Sequence, residues 1–123
     1  MEELTTRVMA ATGLDTATAR KAIGIILTFL RKEGPAPEVE RLVAAIPGSA
    51  AVMDAPAGGG LLGRLSGMMG GVMGLGQKLM AAGVSMNQMH PLGRELFAYG
   101  RERAGEDVIG PIVGSVPGLG QFV

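Results

Sequence analysis

Apolar residues recur along most of this chain at three- and four-residue spacing, and alternation of apolar with polar positions is hard to find. The pattern predicts an all-α fold. A first helix is expected over about residues 2–12, with Leu4, Val8 and Ala11 on one face and Gly13 as its stop. Asp15 then stands as the N-cap of a longer helix, with Ala22, Ile26 and Phe29 on one stripe and Ile23, Leu27 and Leu30 on the next. Gly34-Pro35 closes it. A third helix is expected to start near Pro37, where the missing N–H costs nothing, with Glu38 and Glu40 in the first turn. It buries Val39, Leu42, Val43 and Ile46 and stops at Pro47-Gly48.

The same pattern returns further on. With one gap at Thr12, residues 4–53 lie over residues 75–123. Leu4 meets Leu75, Met9-Ala10-Ala11 meets Met80-Ala81-Ala82, Gly13 meets Gly83, Arg31 meets Arg101, and Pro47-Gly48 meets Pro117-Gly118. Ala22, Ile26 and Phe29 match Leu92, Leu96 and Tyr99, while Val39, Leu42 and Ile46 match Ile109, Ile112 and Val116. Asp15 falls on Ser85, and Ser85-Met86-Asn87-Gln88 has the form of a capping box. The expected architecture is a duplicated three-helix unit: a first repeat over 1–54, a Gly/Met-rich connector or buried helix over 55–74, and a second repeat over 75–123. Pro91 breaks the correspondence, because it should kink or delay the second middle helix.

The repeats also differ along one stripe. Ile23, Leu27 and Leu30 of the first become Gly93, Phe97 and Gly100 of the second. An apolar ridge facing a glycine-notched surface is what ridge-into-groove packing needs, so these six residues are the expected contact between the halves. The kept stripe, Ala22, Ile26 and Phe29 with Leu92, Leu96 and Tyr99, is expected to fill the core of each unit.

Several strings of the sequence have a further likeness: Lys21-Ala22-Ile23-Gly24-Ile25-Ile26-Leu27, Lys32-Glu33-Gly34-Pro35, Ile46-Pro47-Gly48, and the ending from Arg103-Ala104-Gly105-Glu106-Asp107-Val108 to Val116-Pro117-Gly118-Leu119-Gly120-Gln121-Phe122-Val123. With the Gly/Met-rich middle, they resemble small bacterial proteins of the VcgC/VcgE type, a family of unknown function. The resemblance covers most of the chain. Its motifs are helix stops and apolar stripes, so it implies a fold and carries no activity, cofactor or site residue.

Composition narrows the function classes. Eleven Lys and Arg balance eleven Asp and Glu, leaving no net field to gather nucleic acid or an anionic membrane. No cysteine is present, which excludes disulfides, thiolate metal sites and thiol nucleophiles. The acidic start, Met1-Glu2-Glu3, lacks the basic region of a secretory signal, so the cytoplasm is the expected compartment. Mean hydropathy is positive, pointing to a surface covered by a protein partner or a second copy.

Candidate chemistry is sparse. His90 is the single histidine, next to Pro91, and metal binding needs several ligands at coordinating spacing. Glu38, Glu40, Glu106 and Asp107 in first turns, and Arg31-Lys32-Glu33 and Arg101-Glu102-Arg103 in last turns, complement helix dipoles. The glycines from Gly58 to Gly76 lack the Gly-Lys-Ser/Thr of a phosphate loop. Gly63, Gly67, Gly70 and Gly74 have helical spacing, as do Leu61, Leu65, Met68, Val72, Leu75 and Leu79, yet interior glycine opposes helix formation by about 1 kcal/mol each. Linker and buried helix both remain open. Membrane contact through residues 55–77 is the alternative, although the uncharged run from Leu65 to Gln77 is too short to span. Six of nine Met fall between Met68 and Met89, where Met86-x-x-Met89-His90 offers three soft donors and gap filling offers the plainer account. These features give a non-catalytic interaction or structural module, with no cofactor and no metal, acting through an apolar surface or self-association.

Overall fold

A computed structural model describes residues 2–46, 48 and 71–115. Among them are six helices and no strand: α1 (Glu2–Thr12), α2 (Thr16–Glu33), α3 (Ala36–Ala45), α4 (Gly71–Ala82), α5 (Met86–Ala104) and α6 (Glu106–Ser115). The connector expected over 55–74 lies outside the described residues up to residue 70, and α4 begins within it at Gly71. Val116 to Val123, the end of the second expected repeat, lie outside them too.

Helix ends follow from local chemistry. Gly13 closes α1 with φ 79° and donates its N–H to Met9 at 2.8 Å. Gly83 closes α4 with φ 108°, and the Gly83 and Val84 N–H groups reach Met80 and Leu79 carbonyls at 3.1 and 2.9 Å, a Schellman arrangement. Both positions need the left-handed conformation that glycine adopts without strain. Asp15 caps α2 by accepting the Thr18 N–H at 3.1 Å. At α5, Gln88 Oε1 accepts the Ser85 N–H at 2.9 Å, the side-chain half of the expected capping box. Pro91 does not delay α5, which starts at Met86 and continues through it to Ala104. The missing N–H there forfeits one early intrahelical bond, to the carbonyl of Asn87, and the turns on either side hold.

The Asp15 cap gives a pH prediction. The hydrogen bonds from Thr18 hold its carboxyl below the usual 3.8. A folded value below the unfolded one means that the stabilisation is complete above the unfolded value and fades as pH falls through the folded one. Asp15→Asn keeps a capping oxygen and removes the titration. Below about pH 4 the variant should therefore lose thermal stability less steeply than the parent, measured as midpoint against pH.

The helices pack in crosswise pairs. The largest contact of α1 is with α5, that of α4 is with α2, and α3 lies on α6. Within the halves, α1 also touches α2, α2 touches α3, α4 touches α5 and α5 touches α6. One aliphatic core runs through both halves, from Leu4, Val8 and Ile23 to Leu92, Phe97 and Ile112. Residues Ala22 to Leu27 are all buried, and six consecutive positions cover more than a full turn, so α2 is enclosed on every side there.

Candidate functional site

The six residues expected at the contact between halves are all buried: Ile23, Leu27, Leu30, Gly93, Phe97 and Gly100. The kept stripe is buried as well, so burial does not separate the two. The notch at Gly100 is filled from other helices than expected. A Cβ built there would lie 2.8 Å from Ile109 Cδ1 and 2.9 Å from Leu42 Cδ1, which places α6 and α3, ahead of Leu30 of α2, closest to the notch. The principal partners of α2 are α1, α3 and α4, and those of α5 are α1, α3, α4 and α6. A middle-helix seam between α2 and α5 is not among the principal contacts. The reason is that α1 and α4 cross over and cover the middle helix of the other half.

Where α1 meets α5, the described polar side chains converge. Arg7 donates from Nε to Glu95 at 3.2 Å and from Nη1 to Glu102 at 2.7 Å, and Arg103 Nη2 donates to Glu3 at 2.8 Å. Between them lies the buried ring of Tyr99, with the Arg7 and Arg103 guanidinium carbons 5.6 and 5.2 Å from its centroid, inside cation–π range. Helical spacing builds this arrangement: Glu3 and Arg7 are one turn apart on α1, and Glu95, Tyr99 and Arg103 follow at single turns on α5. The hydrogen bond to Glu102 above all, then that to Glu95, raises the Arg7 pKa, and the bond to Glu3 above all raises that of Arg103. Neither shift alters a charge state, since guanidinium is ionised throughout the physiological range. The pairs involve side chains that are 28–59% exposed, where ion pairs contribute little and are screened by salt. The cluster sets orientation more than stability.

Gln88 adds a second cross-half link. Its amide oxygen caps α5 while its Nε2 donates to the Thr12 carbonyl at 3.0 Å, satisfying the C-terminus of α1. Gln88→Ala should cost about 1–2 kcal/mol for the two bonds together. Gln88→Glu keeps the acceptor at the cap but sets a carboxylate oxygen against the Thr12 carbonyl at the negative end of α1, so its thermal midpoint should fall below that of the parent.

The last-turn cations join neighbouring helices. Arg31 pairs with Glu40 at 3.2 Å and Arg101 with Glu106 at 2.7 Å, tying α2 to α3 and α5 to α6. Glu38 and Asp107 sit in first turns. His90 is exposed on α5. Of the three soft donors, Met89 is buried in the core, Met86 is 70% exposed and His90 is exposed. Among the described residues, no three His, Asp or Glu side chains are grouped to hold a metal ion. No buried side-chain nitrogen or oxygen among them lacks a hydrogen-bond partner. A groove of about 580 Å³ beside the cluster is lined by Glu2, Glu3, Arg20, Ala45, Gly48, Tyr99 and Arg103. Its described lining places two carboxylates and two guanidinium groups beside an aromatic ring.

The sequence pattern assigned Tyr99 to an apolar stripe and Arg103 to a helix dipole, and so missed the cluster they form. The single-turn spacing of Glu3 and Arg7, matched by that of Glu95, Tyr99 and Arg103, was the available signal.

Fold and site together define an all-α protein whose polar side chains are used to join helices. No family model matches the chain, and no curated protein or solved structure shows significant similarity to it. The resemblance to the VcgC/VcgE-type family rests on the quoted residues alone. Among the described residues, no helix is long and apolar enough to cross a membrane.

Proposed function

We propose that this chain is a non-catalytic interaction or structural module of the cytoplasm, built from a duplicated three-helix unit and working through self-association. The observation that carries the reading is the reciprocity of the packing. The first helix of each half lies mainly on the middle helix of the other, and the two third helices lie on each other. Helix lengths of 11, 18 and 10 residues against 12, 19 and 10, with positive-φ glycines at Gly13 and Gly83, support the same duplication. Use of Arg7, Arg103, Glu3, Glu95 and Glu102 in links between the halves supports a scaffold role over acid–base chemistry.

Two large apolar side chains, Met80 at 56% and Met86 at 70%, are exposed on either side of the turn between α4 and α5. This corner is the proposed apolar contact, and Met is suited to adaptable surfaces. Sedimentation velocity over a range of concentrations tests it. The parent chain should show mass above one chain at high concentration. Met80→Gln with Met86→Gln should weaken that association with little change in thermal midpoint. A parent that sediments as a single chain throughout contradicts the reading.

A further inference from the structure

We propose that the seam closing one chain also joins two: α1–α3 of one copy pair with α4–α6 of a second, so the partner is another copy of this chain. The proposal rests on the self-association reading and adds to the contact at the Met80/Met86 corner a second way in which two copies engage.

Neither half completes its own core. α1 packs mainly on α5, α4 mainly on α2, and α3 on α6, so the principal contact of each terminal helix of a half is made by the other half. The polar links repeat the pattern. Arg7 to Glu95 and Glu102, Arg103 to Glu3, and Gln88 to Thr12 all cross from one half to the other. So does the close approach of Gly100 to Leu42. Such a seam recognises its mate by shape and charge and is blind to which chain supplies it. Residues 46–70 are the covalent tie between α3 and α4, and the choice of mate is set by the effective concentration that tie imposes. Pairing within one chain does not depend on chain concentration, whereas pairing between chains rises with it. One chain closing on itself is then favoured when dilute, and exchange is favoured when chains refold together at high concentration.

The Gly100 notch supplies a test with the full chain. Gly100→Leu overfills the space between Leu42 and Ile109, and Leu42→Ala empties it. Each variant alone should melt several degrees below the parent. In an exchanged pair of the two variants, one seam joins Leu42 to Gly100 as in the parent. The other seam brings the two substitutions together, so that the shortened side chain on α3 makes room for the lengthened one on α5. Isotopically light Gly100→Leu and heavy Leu42→Ala, unfolded and refolded together at high concentration, should give a two-chain species with one copy of each by native mass spectrometry. Its melting midpoint should lie above that of either variant alone. Recovery of only unmixed species, each with its own depressed midpoint, overturns the proposal.

Light and heavy parent chains refolded together provide the arm that does not depend on the variants. Mixed pairs support exchange, and their absence overturns it. Leu42→Ala with Gly100→Leu in one chain should regain part of the lost midpoint; failure to do so overturns the contact on which the proposal is built. Association abolished by the Met80 and Met86 changes, without mixed pairs on refolding, upholds self-association at the corner and overturns exchange.

Discussion

Gly100→Leu is expected to destabilise the protein by about 1–3 kcal/mol, with a midpoint drop of about 3–6 °C for each kcal/mol. Two effects compete. Glycine inside a helix is worse than leucine by roughly 0.8–1 kcal/mol, so the substitution gains propensity on α5. Against that, the first added carbon falls 2.8 Å from Ile109 Cδ1 and 2.9 Å from Leu42 Cδ1, and both side chains are at most 1% exposed. A single Cβ meets only the ends of two flexible side chains, which can rotate away. Gly100→Ala should therefore be close to neutral. The three further carbons of leucine have no space beyond those ends, and overpacking wins. Urea unfolding of the two variants provides the measure. Equal stability of Gly100→Leu and Gly100→Ala would show that the notch is open.

Leu27→Ala should cost about 2–5 kcal/mol, a large share of the roughly 5–15 kcal/mol that holds a typical domain folded. Leu27 has no exposed surface, and every residue from Ala22 to Leu27 is buried. A helix enclosed on all sides has little freedom to shift and close a cavity, so the cost belongs in the upper part of that range. Thermal unfolding should show a midpoint lowered by roughly 10 °C or more. Met86→Gln, at a position that is 70% exposed, should stay within about 0.5 kcal/mol of the parent. A loss at Leu27 of under about 1 kcal/mol would mean that α2 has a loosely packed face.

Helix ends were legible in the sequence because they depend on neighbours in the chain. Gly13, Asp15, Gly34 and Ser85 each act within one turn, and the structure has a helix end at every one of them. Partner choice was less legible. A helical stripe says which face is buried and is silent about what buries it. A stripe of aliphatic side chains on one helix can be covered by any neighbouring helix with a matching apolar face. Tyr99 shows the consequence: assigned to its own unit by pattern, it lies beneath Arg7 of α1. The Gly100 notch was readable as a close approach, while its occupants, Leu42 and Ile109, depend on the crossing of whole helices. Pro91 was expected to kink or delay α5, and the delay does not occur. Near a helix start a proline removes a single bond, and the packing of Met89 and Leu92 on either side keeps α5 in place.

The halves are interlocked around one shared core, a property that native-state hydrogen exchange of the full chain reads out. Buried helices that depend on each other open together, with a common free energy equal to that of global unfolding. The packing predicts that the slowest amides of α2, from Ala22 to Leu30, and of α5, from Leu92 to Gly100, exchange through the same opening and respond identically to added denaturant. Protection surviving in one of these helices while the other exchanges at lower free energy would contradict it.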